Sequence, residues 1–171
     1  MPHVYVCPLS RIAETVAGAN ASHLVSLIND DTPVIRPGTI PEENHLFLGI
    51  NDIVEPMDGM VLPAAEHVET LIDFVSGWHP VRPIVVHCYA GISRSTAAAY
   101  ITLCALKPDR DEADIARRMR AASRFAYPNP RLVAIGDEIL GRNGRMVAAV
   151  KAIGRGEIVA ENIPFSLGLE E

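Results

Sequence analysis

Val85-Val86-His87-Cys88-Tyr89-Ala90-Gly91-Ile92-Ser93-Arg94-Ser95-Thr96 is the stretch from which the rest of this chain is read. Pro83 and the apolar run Ile84-Val85-Val86 lead into it, as suits a strand covered on both faces. Ser95 or Thr96 can cap a helix, and Ala97-Ala98-Ala99 favours one strongly. The pattern predicts a buried strand, a tight loop and a helix start. Successive backbone N–H groups in such a loop converge on an anion, and the helix turns its positive end to the same place. Cys88 stands at the mouth of the loop, where a thiolate is favoured. Arg94 offers a planar fork that matches two oxygens of a tetrahedral anion. Gly91 permits a positive φ or a close backbone approach.

A cysteine, five residues and an arginine, within the fuller string His87-Cys88-x-Ala90-Gly91-x-Ser93-Arg94-Ser95, resembles the signature of the protein tyrosine phosphatase superfamily. The string is most similar to the compact dual-specificity branch. The strand, loop and helix context that such a motif requires accompanies it. The resemblance implies an α/β domain with a central sheet and hydrolysis of phosphate monoesters through a cysteinyl-phosphate. It implies Cys88 as nucleophile, Arg94 as phosphate and transition-state clamp, and Ser95 as a hydroxyl that helps the sulfur leave. His87 would order the loop backbone and support the thiolate, with a purely structural histidine as the open alternative. Tyr89, Ala90, Gly91, Ile92 and Ser93 would contribute chiefly backbone N–H groups to the phosphate.

The mechanism also needs a carboxylic acid to protonate the leaving oxygen and later activate water. Asp52 follows the predicted strand 45–50, where the family places its acid. Asp58 better matches the usual separation from the cysteine, so this loop is longer than in typical relatives. Asp52 is preferred because a strand end fixes geometry better than a flexible insertion does; Glu55 is a third choice. The loop lacks lysine at Tyr89, Ala90 and Ile92, positions where phosphoinositide-directed relatives often carry basic residues. Phosphotyrosine, with phosphoserine or phosphothreonine as further possibilities, is therefore the expected substrate group. A phosphate-binding module without turnover and a rhodanese-like sulfurtransferase are the competing readings.

The 171 residues suit one domain spanning 1–171, with an extended tail over 155–171. Hydrophobic residues make up 49% and charged residues 21%, as in a globular rather than a disordered chain. A net charge of −6 disfavours nucleic acid as partner. No apolar run is long enough to span a bilayer, and the N-terminus lacks the basic and apolar regions of a leader, so a cytoplasmic protein without membrane partner is expected. Three widely spaced cysteines, Cys7, Cys88 and Cys104, argue for reduced thiols and against a disulfide framework. No cluster has metal-like spacing and no cofactor is called for.

In chain order, strands are expected at 3–7, 23–28 and 45–50, with the central strand on Ile84-Val85-Val86 ahead of Cys88. Helices are expected at 11–17 (capped by Ser10, stopped by Gly18), 64–78, 96–106, 111–123, 131–140 and 145–153. Residues 32–44 read as a surface loop, and Arg36 there as a solvated residue. Arg117, Arg118 and Arg120 read as a solvated helix face, Cys104 as a small core residue, and Asn129 as a helix cap. The tail shows little periodicity, and docks along the domain or onto a second subunit, which admits a homodimer. Strands parted by helices argue for a largely parallel sheet with the loop at a strand's carboxyl end.

Overall fold

The structure, a computed structural model, describes residues 2–170. Five strands form one sheet: β1 (His3–Pro8), β2 (His23–Ile28), β3 (His45–Gly49), β4 (Ile84–Cys88) and β5 (Phe165–Gly168). Their order is β3-β2-β4-β1-β5. The first four run parallel, and β5 pairs antiparallel with β1. The six helices are α1 (Ile12–Ala19), α2 (Ala65–Ser76), α3 (Arg94–Leu106), α4 (Glu112–Ala122), α5 (Pro130–Ile139) and α6 (Arg145–Ile153).

Period-two alternation divides the strands between two cores. Val4, Val6, Val25, Leu27, Ile84 and Val86 face the larger one, shared with α2 to α6. Leu24, Val85 and Cys7 face the smaller one, which α1 covers through Ile12 and Val16. All five residues of β4 are buried, the signature of a central parallel strand. The core helix α3 is buried from Arg94 to Cys104, so its sequence has no polar face to reveal a period. Gly136 lets α5 cross it closely, since a Cβ there would stand 2.8 Å from Ile101 Cγ1.

The expected strands at 3–7, 23–28 and 45–50 are present within a residue of their bounds, and the strand expected on Ile84-Val85-Val86 runs on through Cys88. Several local expectations are corrected. Neither Ser95 nor Thr96 caps α3. The helix starts at Arg94 after Ser93, which makes no side-chain capping bond, and the two hydroxyls serve other partners. Ser10 bonds Glu161 across the molecule and α1 starts later, at Ile12. Gly18 lies inside α1, whose last residue, Ala19, is followed by Asn20 as cap in the left-handed conformation, φ 51°. Asp111 caps α4 and Asn129 caps α5 through bonds from Asp114 N and Leu132 N. Arg120 is not a solvated charge: it donates to the carbonyls of Ser123, Arg124 and Gly154, while Arg118 donates to Gly168. The tail, whose sequence showed little periodicity, adds the edge strand β5 to β1.

Parallel pairing brings the carboxyl ends of β1, β2, β3 and β4 to one side of the sheet. Residues 29, 50 and 88 meet there, although the chain separates them by up to 59 positions.

Candidate active site

The loop after β4 folds over the amino end of α3. Its carbonyls are turned outward, each onto a donor of another segment. Leu9 N donates to Tyr89 O at 3.1 Å, Asn162 N to Ala90 O at 2.9 Å, Tyr127 N to Ile92 O at 2.9 Å and Asn129 N to Ser93 O at 3.1 Å. Asn162 Nδ2 donates to Gly91 O at 2.8 Å. A planar peptide points its N–H away from its C=O. Anchoring these oxygens therefore turns the N–H groups of residues 90–94 toward the inside of the loop, the arrangement that holds anions. Gly91 adopts φ +72°, and a Cβ there would lie 2.8 Å from Pro8 N, so only glycine fits this turn against the end of β1.

Cys88 Sγ lies under this loop. It accepts from Gly91 N at 3.3 Å and is 3.1 Å from Ser95 Oγ. Arg94 Nη1 is anchored from behind, donating to Asn29 Oδ1 at 2.9 Å and Ile50 O at 2.8 Å. Its Nε is buried and has no partner. A buried guanidinium N–H without an acceptor is costly, and an anion in the loop would supply one. Arg94 and Cys88 line the same cavity of about 750 Å³.

His87 and Ser26 are register partners on one sheet face, which explains a hydrogen-bonded chain along it. His87 Nδ1 is 3.1 Å from Cys88 O, and a carbonyl only accepts, so Nδ1 carries the proton. Nε2 of the neutral ring then accepts from Ser26 Oγ at 2.6 Å. Ser26 Oγ in turn accepts from His45 Nε2 at 2.8 Å. Burial pushes the His87 imidazole down to about 4, against the bond to Cys88 O; the charges of His45 and Arg94 add to the lowering. His45 is also lowered, by burial and by Arg36.

Asp52 stands at the cavity wall. Its Oδ1 accepts from Ser93 Oγ at 2.7 Å and from Asn129 Nδ2 at 2.9 Å. Asn129 thus fixes Asp52 with one end of its amide and caps α5 with the other. Glu55 lines the cavity as well, whereas Asp58 is exposed and outside it. Val54, Met57, Tyr89 and Tyr127 give the rim an exposed apolar face. Arg155 adds a cation there, its guanidinium 5.4 Å over the Tyr127 ring.

The fold thus brings Cys88, Arg94, Ser95, His87, Asp52 and the loop residues 89–93 together. Arg36 is elsewhere, bonded to Ile40 O. Cys7 and Cys104 are buried thiols pushed up to about 12 by burial, with no place in the cavity. Asn29, Asn162, Ser26 and His45 were not singled out from sequence. An asparagine after a strand or in a tail carries no local signal for the carbonyl or guanidinium it will meet. Among the described residues no group of histidine, cysteine and carboxylate side chains could hold a metal ion. No helix among them is long and apolar enough to cross a membrane.

No protein-family model matches the chain, and no curated protein is significantly similar in sequence. Solved structures are similar over most of its length. DUSP15 superposes with a TM-score of 0.63 at 19% identity, over 90% of this chain and 91% of that one. The PTP-2 phosphatase of Cydia pomonella gives 0.62 at 21% identity, over 79% and 84%. The human tyrosine phosphatase-like serine/threonine/tyrosine-interacting protein gives 0.64 at 18% identity, over 82% and 92%. The chain has the fold of the dual-specificity phosphatases.

Proposed function

We propose that this protein is a cysteine-dependent phosphatase that hydrolyses phosphate monoesters, with phosphotyrosine in proteins as the main substrate group. The observation that carries the reading is the buried, unpartnered Nε of Arg94 beside Cys88 Sγ, under a loop whose carbonyls are all turned outward. That is a cation with an unused donor next to a nucleophile, in a concave site.

In the first step the Cys88 thiolate attacks phosphorus in line with the ester oxygen. The S–P bond forms as the P–O bond breaks, and the departing oxygen takes a proton from Asp52. Arg94 and the loop N–H groups hold the three non-bridging oxygens, whose charge is best matched when the phosphoryl group is flat. In the second step Asp52 takes a proton from water, the water oxygen bonds phosphorus and the S–P bond breaks. Ser95, 3.1 Å from the sulfur, donates to the thiolate as it leaves. His87 holds the Cys88 carbonyl and stays neutral, so it supports the loop and is not the base.

The rim supports an aryl ester. Tyr89, Tyr127, Val54 and Met57 surround the cavity with apolar surface that suits a phenol ring. The fold likeness to phosphatase structures supports the class of reaction. Three unpaired cysteines suit a reducing compartment, in keeping with a cytoplasmic protein.

The test is turnover by the purified protein of nitrophenyl phosphate and of phosphotyrosine, phosphoserine and phosphothreonine peptides, with the Cys88 peptide trapped as its phosphate adduct. Phosphotyrosine turnover with the adduct on Cys88 is expected. Thiocyanate formation from thiosulfate and cyanide without phosphate release would replace the reading with sulfur transfer. Tight phosphate binding without turnover would make the protein a binding module.

A further inference from the structure

The loop is held from outside by a residue far along the chain. Asn162 is 4% exposed and makes four hydrogen bonds. Its backbone N donates to Ala90 O at 2.9 Å and its Nδ2 to Gly91 O at 2.8 Å. Its Oδ1 accepts from Ser123 Oγ at 3.0 Å and from Ile163 N at 2.8 Å. The amide orientation follows from its neighbours: Gly91 O can only accept and Ile163 N can only donate.

These bonds fall on consecutive peptide units of the loop. With Ala90 O held by Asn162, the Gly91 N–H must point the other way, and it does, onto Cys88 Sγ at 3.3 Å. With Gly91 O held by the Asn162 side chain, the Ile92 N–H turns to the same inner side. Rotation of either peptide unit would replace an inward N–H by an inward carbonyl, which repels both a thiolate and a phosphate oxygen. Glycine at position 91 makes that rotation sterically easy, so something else must prevent it. The donors that do so come from the tail that leads into β5, and that tail is itself fastened by Arg120 to Gly154 O and by Glu157 N to Arg124 O.

We propose that Asn162 is a positioning residue of the anion loop, fixing the 90–91 and 91–92 peptide units so that their N–H groups face Cys88 and the bound phosphate. The tail is then part of the active site. This rests on the reading of residues 88–94 as a phosphate loop, and it adds a residue 68 positions beyond Arg94, outside the string His87 to Ser95.

The test compares wild type with Asn162→Ala, which removes the side-chain donor without adding charge, and Asn162→Asp, which keeps the Oδ1 acceptor and loses the Nδ2 donor. The readouts are the pH midpoint of Cys88 alkylation, mapped by peptide, and the protection of Cys88 by inorganic phosphate. kcat and KM on nitrophenyl phosphate complete the set. The expected result is an alkylation midpoint raised by about one pH unit and phosphate protection weakened about tenfold, larger for Asp than for Ala. The fall in turnover should lie mainly in kcat. Unchanged midpoint and protection with only a lower melting temperature would make Asn162 a structural anchor of the tail and overturn the proposal; so would failure of both variants to fold. If wild type binds phosphate but turns nothing over, the phosphatase reading fails while the Asn162 proposal is still decided by alkylation and protection. If wild type turns over and the variants match it in every readout, only the Asn162 proposal fails.

Discussion

Arg94 and Arg142 are equally buried, at 6% exposure each, and they do opposite things with it. Arg142, in the turn between α5 and α6, meets a carboxylate and a carbonyl. Its Nη1 donates to Glu112 Oε1 at 2.6 Å and its Nη2 to Cys104 O. Burial alone would raise the Glu112 carboxyl; Arg145 and Arg142 hold it below the ordinary carboxylate range. The pair ties the amino end of α4 to α6, beside Asp137, which accepts from Gly144 N and Met146 N at the start of α6. Arg94 meets only neutral acceptors, Asn29 Oδ1 and Ile50 O, and keeps an unpaired Nε. Burial of a cation therefore does not mark a functional site. The imbalance of charge and donors at Arg94 is what sets it apart from Arg142, and it is the ground on which its site is proposed.

The sharpest way to break this comparison is at the sulfur beneath Arg94. Cys88→Ser should abolish turnover of an aryl phosphate while phosphate still binds and the fold persists. Cys104→Ala and Cys7→Ser, at thiols that burial keeps protonated near neutral pH, should retain most activity. Appreciable turnover by Cys88→Ser would remove the covalent step.

The acid comes next. Asp52→Asn should lower kcat by ~10²–10⁴-fold on a phosphoserine peptide and by much less on nitrophenyl phosphate, whose leaving group needs no proton. Asp58→Asn, outside the cavity, should change both little. A leaving-group-dependent loss confined to Asp58→Asn would transfer the role to the longer loop.

Then the two arginines themselves can be exchanged in kind. Arg94→Lys keeps the charge and loses the fork, so kcat should fall on the order of 10²–10³-fold, with little change in melting temperature. Arg142→Ala should do the reverse. It leaves Glu112 buried with only the half-exposed Arg145, at a cost of about 3 kcal/mol, or roughly 6–12 °C in Tm, with kcat of the folded fraction unchanged. If Arg94→Lys instead lost stability and Arg142→Ala lost kcat, the contrast between the two regions would collapse.

The smallest effect concerns pH. His87 is neutral and buried, with its pKa lowered from 6.5 to about 4. A depressed folded-state pKa gives stability that is present above the unfolded value and lost as the pH falls. Between pH 6.5 and 4 the unfolded chain binds the proton that the folded chain refuses, at a cost of up to about 3 kcal/mol. Stability against chemical denaturant should therefore fall as the pH drops through that window, and His87→Asn should flatten the slope. The remainder should come from His23 and His45, which burial also lowers. An unchanged slope in His87→Asn would place the protonation elsewhere.

Much of the fold was legible because its signals are local. β4 reads as a buried strand from its apolar run, and residues 88–94 read as an anion loop from residue types and spacing. Helix α6 and the Asn129 cap lie where their breakers and cap put them. The edge strand β5 was not legible, since Phe165–Gly168 is four residues long and is stabilised by pairing with β1 rather than by any pattern of its own. The caps assigned to Ser10, Ser95 and Thr96 failed for one reason. A hydroxyl near a helix start takes whichever partner the tertiary fold supplies, and here these are Glu161, Cys88 and the Ile92 and Ser93 carbonyls.

The chemical inventory of the site can be read from residue order: a thiol, a guanidinium, a hydroxyl and a glycine at fixed spacing between a strand and a helix. Those relations hold within a dozen residues, where backbone geometry alone fixes who is near whom. How the loop's peptide units face, and which donors of Arg94 are used up, depends on long-range contacts. Leu9, Asn29, Ile50, Tyr127, Asn129 and Asn162 settle those points from up to 80 positions away. A peptide plane can rotate with almost no change in chain path, so its direction is set by the partner that holds its carbonyl, and that partner is supplied by the fold.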